Sequence, residues 1–457
     1  MQKFDRSIVD GPLAAAVWKL AWPTMLQNVI AGLQGIIDHV MVGHYVGYTA
    51  NAAIGISWQI FLVVIVFIAS LYSGMGVLVA RFTGAAEPEK VNRVVQQAFL
   101  TSIFLSVVLA VAGYFLSPYL LDVVRAAPPV KDAALPFLRT MFVGNVGMLV
   151  FFMLGGALRA AGDARTPLRL GIAATVLNAA FNVVLIPRLG PLGAALGTVT
   201  ANVIVAAVGI VMVLSGRHVV RVPRPLSLAP DWTIIRSIFK FGLPTGLQGI
   251  AMNVAGVLLL RFIGSLEFSA AAQAAYAIGY TELFSLITWT SVGLMSATAT
   301  VTGQNLGAGK PDRSMAGARV AARIGLGVAT VVGLAFVAIP SHLLGVFGMN
   351  EPHVLQIGSE LLRYLTVSGF FVTVALVYNG ALQGTGDTKS PFYISLISQI
   401  AVPLTYCAVM ESMYGLKSGD IWLAIVIGHV LRCTLGVLRF RQGKWRQIKV
   451  DIQPSRA

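Results

Sequence analysis

The chain has 457 residues, of which 56% are hydrophobic and only 11% charged, with a mean hydropathy of +0.79. A soluble globular domain carries roughly 25% charged residues, so this composition excludes one and requires many membrane-spanning helices. The net charge of +15 is not a nucleic-acid signature, because Lys and Arg sit in short breaks between apolar stretches, where they set membrane orientation.

Apolar segments fall near residues 14–43, 52–80, 94–116, 134–158, 168–187, 192–214, 237–263, 270–302, 318–340, 360–382, 392–412 and 420–440. They predict twelve transmembrane helices, and their uninterrupted length excludes a β-barrel, whose strands would be about 10 residues of alternating pattern. Met1 to Pro12 is polar and lacks the apolar core and cleavage site of a signal peptide, so the first span is expected to stay as an anchor. Cys407 and Cys433 both lie in apolar segments and imply no disulfide framework.

The first span carries one acid, Asp38, and one interior proline, Pro23. A charge at membrane depth costs on the order of 3 kcal/mol, so such acids usually face a bundle interior or a wet cavity and work there. An interfacial acid is the plainer alternative: from Lys19 to Asp38 a helix rises about 28 Å, which brings Asp38 near one end of an untilted span. Pro23 removes a backbone hydrogen bond and permits a bend, so it is a hinge candidate.

An even number of spans puts both termini on one side. With loops assigned alternately, the opposite face holds Arg125, Lys131, Arg139, Arg188, Arg261, Arg363 and Lys417, leaving 26 of the 33 Lys and Arg to the face of the termini. By the positive-inside rule both termini are expected in the cytoplasm. The longest connection on that face, Ser215 to Asp231, is rich in Pro and Arg and reads as a linker between two six-helix halves.

Internal repeats support that division. LAWPTMLQNVIAGL, with Pro23, recurs as FKFGLPTGLQGIAMNVAGV, with Pro244, at an offset of 221. TGAAEPEK at 83–90 recurs as LGAGKPDR at 306–313, and GALRAAGDARTP at 156–167 as GALQGTGDTKSP at 380–391, at offsets of 223 and 224. With six spans per half, the copies enter from the same side and form parallel repeats, an arrangement in which transporters bind substrate near the midplane and rock one bundle against the other. In the repeated loops, glycine can end one helix, the acid and hydroxyl can cap the next, and proline fits its first turn. Gly303 to Lys310 has Gln304 where a phosphate loop needs Gly and Pro311 where it needs Ser or Thr, which argues against nucleotide binding. No metalloprotease histidine pair or nucleophile-elbow motif occurs in the sequence, which argues against an enzyme.

Jointly, Leu20-Ala21-Trp22-Pro23, Asp38 to Gly43, Gly84, GALRAAGDARTP, Gly303 to Gly309 and GALQGTGDTKSP make the chain resemble the multidrug and toxic compound extrusion (MATE) transporters, in the prokaryotic branch of the DNA-damage-inducible protein F. The resemblance implies an all-α integral membrane protein of two six-helix lobes around a central cavity, with residues 1–214 as the N-lobe, 215–235 as a cytoplasmic linker and 236–457 as the C-lobe with a basic tail. It implies export of amphipathic, often cationic compounds in exchange for protons or sodium ions, and it marks Asp38 as the acid of an N-lobe cation site. In that branch the acid is joined on the fifth helix by Asn and, four residues on, Asp, and on the sixth by Thr. Here those positions are Asn178, Asn182 and Thr198. Asn182 departs from the pattern, and losing its charge leaves a site that favours protons over sodium, which prefers an oxygen-rich, anionic cage. Interhelical hydrogen bonding is the plainer role for the two asparagines.

In sodium-coupled members a seventh-helix glutamate lies eight residues after the proline; here that position is Met252. Glu282, in the eighth span, matches in place a glutamate of the eukaryotic proton-coupled branch, with a structural ion pair as its alternative. Gln34, Trp58, Phe61, Phe151, Tyr276, Tyr280 and Tyr378 are candidates for the substrate cavity, where aromatics suit flat cations, and Pro23 and Pro244 are candidate hinges. The expected protein is a monomeric, multi-pass antiporter of a bacterial inner membrane that takes a small-molecule substrate, uses no cofactor, has protons as coupling ion and binds no nucleic acid. Alternatives are a lipid-linked-precursor or metabolite flippase of the same superfamily and, more remotely, a channel.

Overall fold

In hydrocarbon every backbone N–H and C=O must be satisfied within its own segment, and long apolar runs therefore close into helices. The computed structural model describes residues 4–46, 48–216, 219–221, 228–450 and 452; the side chains of residues 36–40, 43, 44, 48, 49, 51 and 63 lie outside that description, Asp38 among them. Among the described residues twelve long helices follow one another: α1 Leu13–Tyr45, α2 Tyr48–Gly84, α3 Pro88–Val123, α4 Pro128–Ala160, α5 Arg165–Leu189, α6 Pro191–Leu214, α7 Trp232–Gly264, α8 Ser269–Gly307, α9 Pro311–Ala338, α10 Pro352–Thr385, α11 Lys389–Met413 and α12 Ser418–Arg441. Eleven stretches among the described residues, one in each of α2 to α12, are long and apolar enough to cross a membrane; α1 is 33 residues long. Three helices, α2, α3 and α10, outrun their apolar segments by three or more residues at each end. The linker expected to reach residue 235 stops earlier, because α7 begins at Trp232 and Asp231 Oδ1 accepts the free N–H groups of Thr233 and Ile234. Residues 217–218 and 222–227 of that connection lie outside the described residues.

Packing divides the chain into two compact units, and the division does not fall in the linker. The first unit is principally Leu26–Gly246; the second is principally Arg6–Met25 with Leu247–Lys449. Both boundaries lie inside a helix, two residues after Pro23 in α1 and two after Pro244 in α7. The opening part of each repeat's first helix thus packs with the other repeat.

Small residues and hydroxyls make both dockings. In the second unit Thr24 Oγ1 lies 2.9 Å from Gly293 O of α8, sharing its hydrogen with Leu20 O and Ala21 O. A Cβ on Gly293 would lie 2.5 Å from Met25 N, so only glycine permits this approach. In the first unit Thr245, which follows Pro244 as Thr24 follows Pro23, meets Ser73 of α2 through their hydroxyls at 3.0 Å. Gly74 and Gly242 there bring the α2 and α7 backbones into direct contact. Each docked segment is also tied at its start by an aspartate: Asp10 accepts from Lys310 at 2.6 Å, and Asp231 from Arg93 at 2.7 Å.

The Gly303–Lys310 stretch serves this purpose. Asn305 Nδ2 donates to Ile8 O, while Arg313 donates to Asn305 Oδ1 and to Gly11 O. The repeated GD loops cap helices: Asp163 accepts from the backbone of Arg165 and Thr166, and Asp387 from Ser390. Asp387 also pairs with Arg439 at 2.8 Å.

Candidate functional site

In the first unit the apolar run of α5 is interrupted by amides four residues apart, which share one helix face. Asn178 Nδ2 donates to Thr198 Oγ1 of α6 at 3.0 Å, and Asn182 Nδ2 donates to Asn178 Oδ1 at 3.2 Å. Both asparagines are at most 1% exposed. Gly197, beside Thr198, makes the packing possible, since a Cβ there would sit 2.2 Å from Asn182 Oδ1. One turn earlier on α5, Thr175 Oγ1 donates to Gln34 Oε1 of α1 at 2.7 Å. Helix register puts position 38 one turn beyond Gln34, within α1; the Asp38 side chain lies outside the described residues. The structure therefore joins Asn178, Asn182 and Thr198 in one hydrogen-bonded set, with Gln34 tied to the same helix face.

The aromatic candidates divide. Phe61, 1% exposed, is packed between Trp58 and Phe142, with edge-to-face centroid distances of 5.7 and 5.5 Å. Phe151 is half-buried and meets Phe152 at 5.7 Å. Tyr378 is buried against Phe440 at 5.6 Å. Phe61 and Tyr378 thus each pack against a neighbouring ring within their own unit.

Tyr276 and Tyr280 line a cavity of about 100 Å³ inside the second unit, with Met252 and Leu259 of α7, Gln399 of α11 and Ile425 of α12. Two helices change pitch around it. In α8 residues Ala277–Leu283, and in α11 residues Leu396–Ala401, wind as π-helix, a feature that re-aims side chains and is frequent at functional sites. Gly428 of α12 admits the α11 π-turn, because a Cβ there would lie 2.7 Å from Ser398 O and 3.2 Å from Gln399 Nε2. The tyrosines belong to a stacked column: Trp422 and Tyr276 at 6.3 Å, Tyr276 and Tyr280 at 4.9 Å, Tyr280 and Phe284 at 5.4 Å, Phe284 and His429 at 5.9 Å.

Glu282 is half-buried in the α8 π-turn, where its backbone carbonyl accepts from Ser285 Oγ, and it is not among the residues lining the cavity. The sequence reading missed Arg432, which is 7% exposed inside α12. Its signal was an arginine well within an apolar span, which marks function by default.

A protein-family model, MatE, matches residues 23–184 and again residues 244–407, each copy beginning at one of the two repeated prolines. The chain belongs to the MATE family. It is therefore a multi-pass membrane transporter and not an enzyme. This MATE transporter is 28% identical to the probable multidrug resistance protein NorM of Thermotoga maritima over 436 residues, covering 94% of this chain and 92% of that protein. It is 25% identical over 458 residues to the multidrug resistance protein MdtK of Edwardsiella ictaluri, covering 96% of each. Its fold matches a solved structure described as the outward-facing conformation of a multidrug resistance MATE family transporter of the MOP superfamily, with a TM-score of 0.91 at 20% identity over 98% of this chain and 100% of that one.

Proposed function

We propose that this transporter is a secondary active antiporter exporting amphipathic, often cationic compounds in exchange for protons by alternating access. Export of drugs is supported by the names of the relatives it matches along nearly their whole length. Proton coupling rests on one observation: the buried cluster around Asn178 and Asn182 is built of neutral amides and a hydroxyl, and the one carboxylate of α1 is Asp38. A sodium ion prefers a more oxygen-rich and anionic cage than one carboxylate and two amides supply. A single carboxylate that accepts either a proton or the charge of a cationic drug, and not both fully, couples their opposite movements.

The excess of Lys and Arg on one set of loops favours cytoplasmic termini in a bacterial inner membrane. The deciding experiment is uptake of a fluorescent cation into inverted membrane vesicles with proton and sodium gradients imposed separately. Uptake that follows the proton gradient and is indifferent to sodium is the expected result. Uptake that tracks sodium at fixed pH overturns proton coupling. Transfer of a lipid-linked precursor without cation transport favours the flippase reading.

A further inference from the structure

A buried arginine holds α1 where that helix enters the first unit. Gln27 stands four residues beyond Pro23 and is the second residue of α1 to pack with the first unit. Its Oε1 accepts a hydrogen bond of 2.8 Å from Arg159 Nη1 of α4. Arg159 is 9% exposed; its Nε donates to the Tyr72 hydroxyl of α2 at 3.2 Å, and its guanidinium carbon lies 5.5 Å from the centre of that ring. Glycines make the room: a Cβ on Gly156 would lie 2.6 Å from the Tyr72 ring, and one on Gly171 of α5 would lie 3.0 Å from Gln27 Nε2. A guanidinium is a rigid, permanently charged fork, and a charged donor makes the stronger hydrogen bond.

The face of α1 that Arg159 grips is the one that leads to the buried amides. Gln34, two turns beyond Gln27, accepts from Thr175 of α5, and position 38 follows one turn later on that face. On α5, residues 171, 175, 178 and 182 likewise repeat at helical spacing, so Gly171 and Thr175 share the face of Asn178 and Asn182. A displacement of α1 at Gln27 is carried by a stiff helix to the far end of this seam.

The second unit shows that the packing closes without a cation. There Gln248 stands four residues beyond Pro244, Ser395 takes the place of Gly171 and Gln383 that of Arg159, the last two at the repeat offset of 224. Gln248 Nε2 donates to Ser395 Oγ of α11 at 2.7 Å, while Gln383 turns to Asn379 at 3.4 Å. One amide–hydroxyl bond therefore suffices to dock this part of α7, a helix that carries no carboxylate. The arginine occurs in the unit whose first helix does carry one, Asp38.

We propose that Arg159 is a positioning residue for ion coupling: through Gln27 it fixes the register of α1 against α5, and so sets Asp38 relative to Asn178, Asn182 and Thr198. Eleven residues, about 16 Å of helix, separate Gln27 from position 38, so Arg159 acts through the helix and not on the ion. This inference rests on the antiport reading and adds to it the residue that anchors the helix bearing the acid.

The test measures initial rates of ethidium uptake into inverted membrane vesicles under an imposed proton gradient, per folded transporter, together with ethidium binding to the purified protein in detergent. Arg159→Gln, which takes the residue of the second unit, should lower the maximal rate about tenfold, the weight of one charge-assisted hydrogen bond, with KM and ethidium affinity within about twofold of the parent. Gln27→Leu should give the same loss and the double variant no greater one, because the two side chains form one contact; Gln27→Leu also leaves Arg159 bonded to Tyr72, and so carries the test if Arg159→Gln does not fold. Adding Gly171→Ser to Arg159→Gln copies the amide–hydroxyl pair of the second unit and should restore most of the rate, whereas Arg159→Lys, a cation without the fork, should restore less. A lowered melting temperature with an unchanged rate per folded transporter, additive losses in the double variant, or a loss of ethidium affinity equal to the loss of rate would each overturn the proposal. Parent uptake that ignores the proton gradient counts against the antiport reading alone, since the same ratios are then read under the gradient that does drive uptake.

Discussion

Under the proposed proton coupling, Asn182 is the described residue of the first unit whose exchange bears most directly on ion choice, because a single oxygen-for-nitrogen exchange separates it from a carboxylate. It already lies against Asn178 at 3.2 Å, so Asn182→Asp would add a negative charge to an assembled cage without moving it. Export by that variant should acquire a sodium dependence, read as stimulation by a sodium gradient at fixed pH; indifference to sodium would show that the site's geometry, and not its charge, excludes the ion. Asp38→Asn removes the α1 carboxylate and keeps its shape, so the protein should reach the membrane in normal amount while gradient-driven export is lost. Normal expression with undiminished proton-driven export would free Asp38 of the coupling role. Gly197→Ala tests the packing of the cluster, since the new methyl would meet Asn182 Oδ1 at 2.2 Å. Overpacking of this kind costs about 1–3 kcal/mol, and thermal unfolding of the purified variant should report it.

Among the elements, α1 and α7 behave unlike the rest, each beginning in one packing unit and ending in the other with a proline at the crossing. A proline cannot donate to the carbonyl four residues back and weakens the helix there; Thr24 and Thr245, the residues that follow, instead place hydroxyls where neighbouring helices meet. Thr24→Val should cost about 0.6–1 kcal/mol, the usual size of a hydrogen bond between membrane helices. Gly293→Ala, which forces the α1 and α8 backbones apart, should cost more, and unfolding midpoints in detergent rank the two. Outside the membrane the lysine beside Asp10 holds its carboxyl below the ordinary value of 3.8, with Arg6 assisting. A folded value below the unfolded one means that the tie is present at neutral pH and is lost as pH falls through the folded value. Hydrogen-exchange protection of residues 8–13 should therefore hold from neutrality to about pH 4 and fall below it, and Asp10→Asn should remove that pH dependence.

At the scale of the whole molecule, periodic features were legible in the residues and relational ones were not. Apolar length marked twelve helices, and offsets of 221 to 224 between Pro23 and Pro244, and between the GD loops, announced a repeat that the family model then matched twice. Asn178, Asn182 and Thr198 could be grouped because four-residue spacing fixes a helix face. Composition carries no mark of a π-turn, so the re-aiming of Tyr280 and Gln399 was hidden. Arg432 was absorbed into a tally of basic residues, although an arginine well within an apolar span is itself a signal. The exchange of first-helix segments was invisible for the same reason: chain order says where a helix lies in sequence and not which bundle buries it. Orientation is the whole-molecule property that the tally does address, and it makes the last expectation. Lysines and arginines near span ends resist translocation, and 26 of 33 lie on one face by the alternating assignment. A cysteine at Gly216, in the connection between α6 and α7, should then label only from the cytoplasm, together with tags on both termini, whereas one at Asn350, between α9 and α10, should label in intact cells with a membrane-impermeant maleimide. If both cysteines labelled from the same side, an even number of crossings would lie between them in place of the three of α7, α8 and α9, and the twelve-span topology would fail.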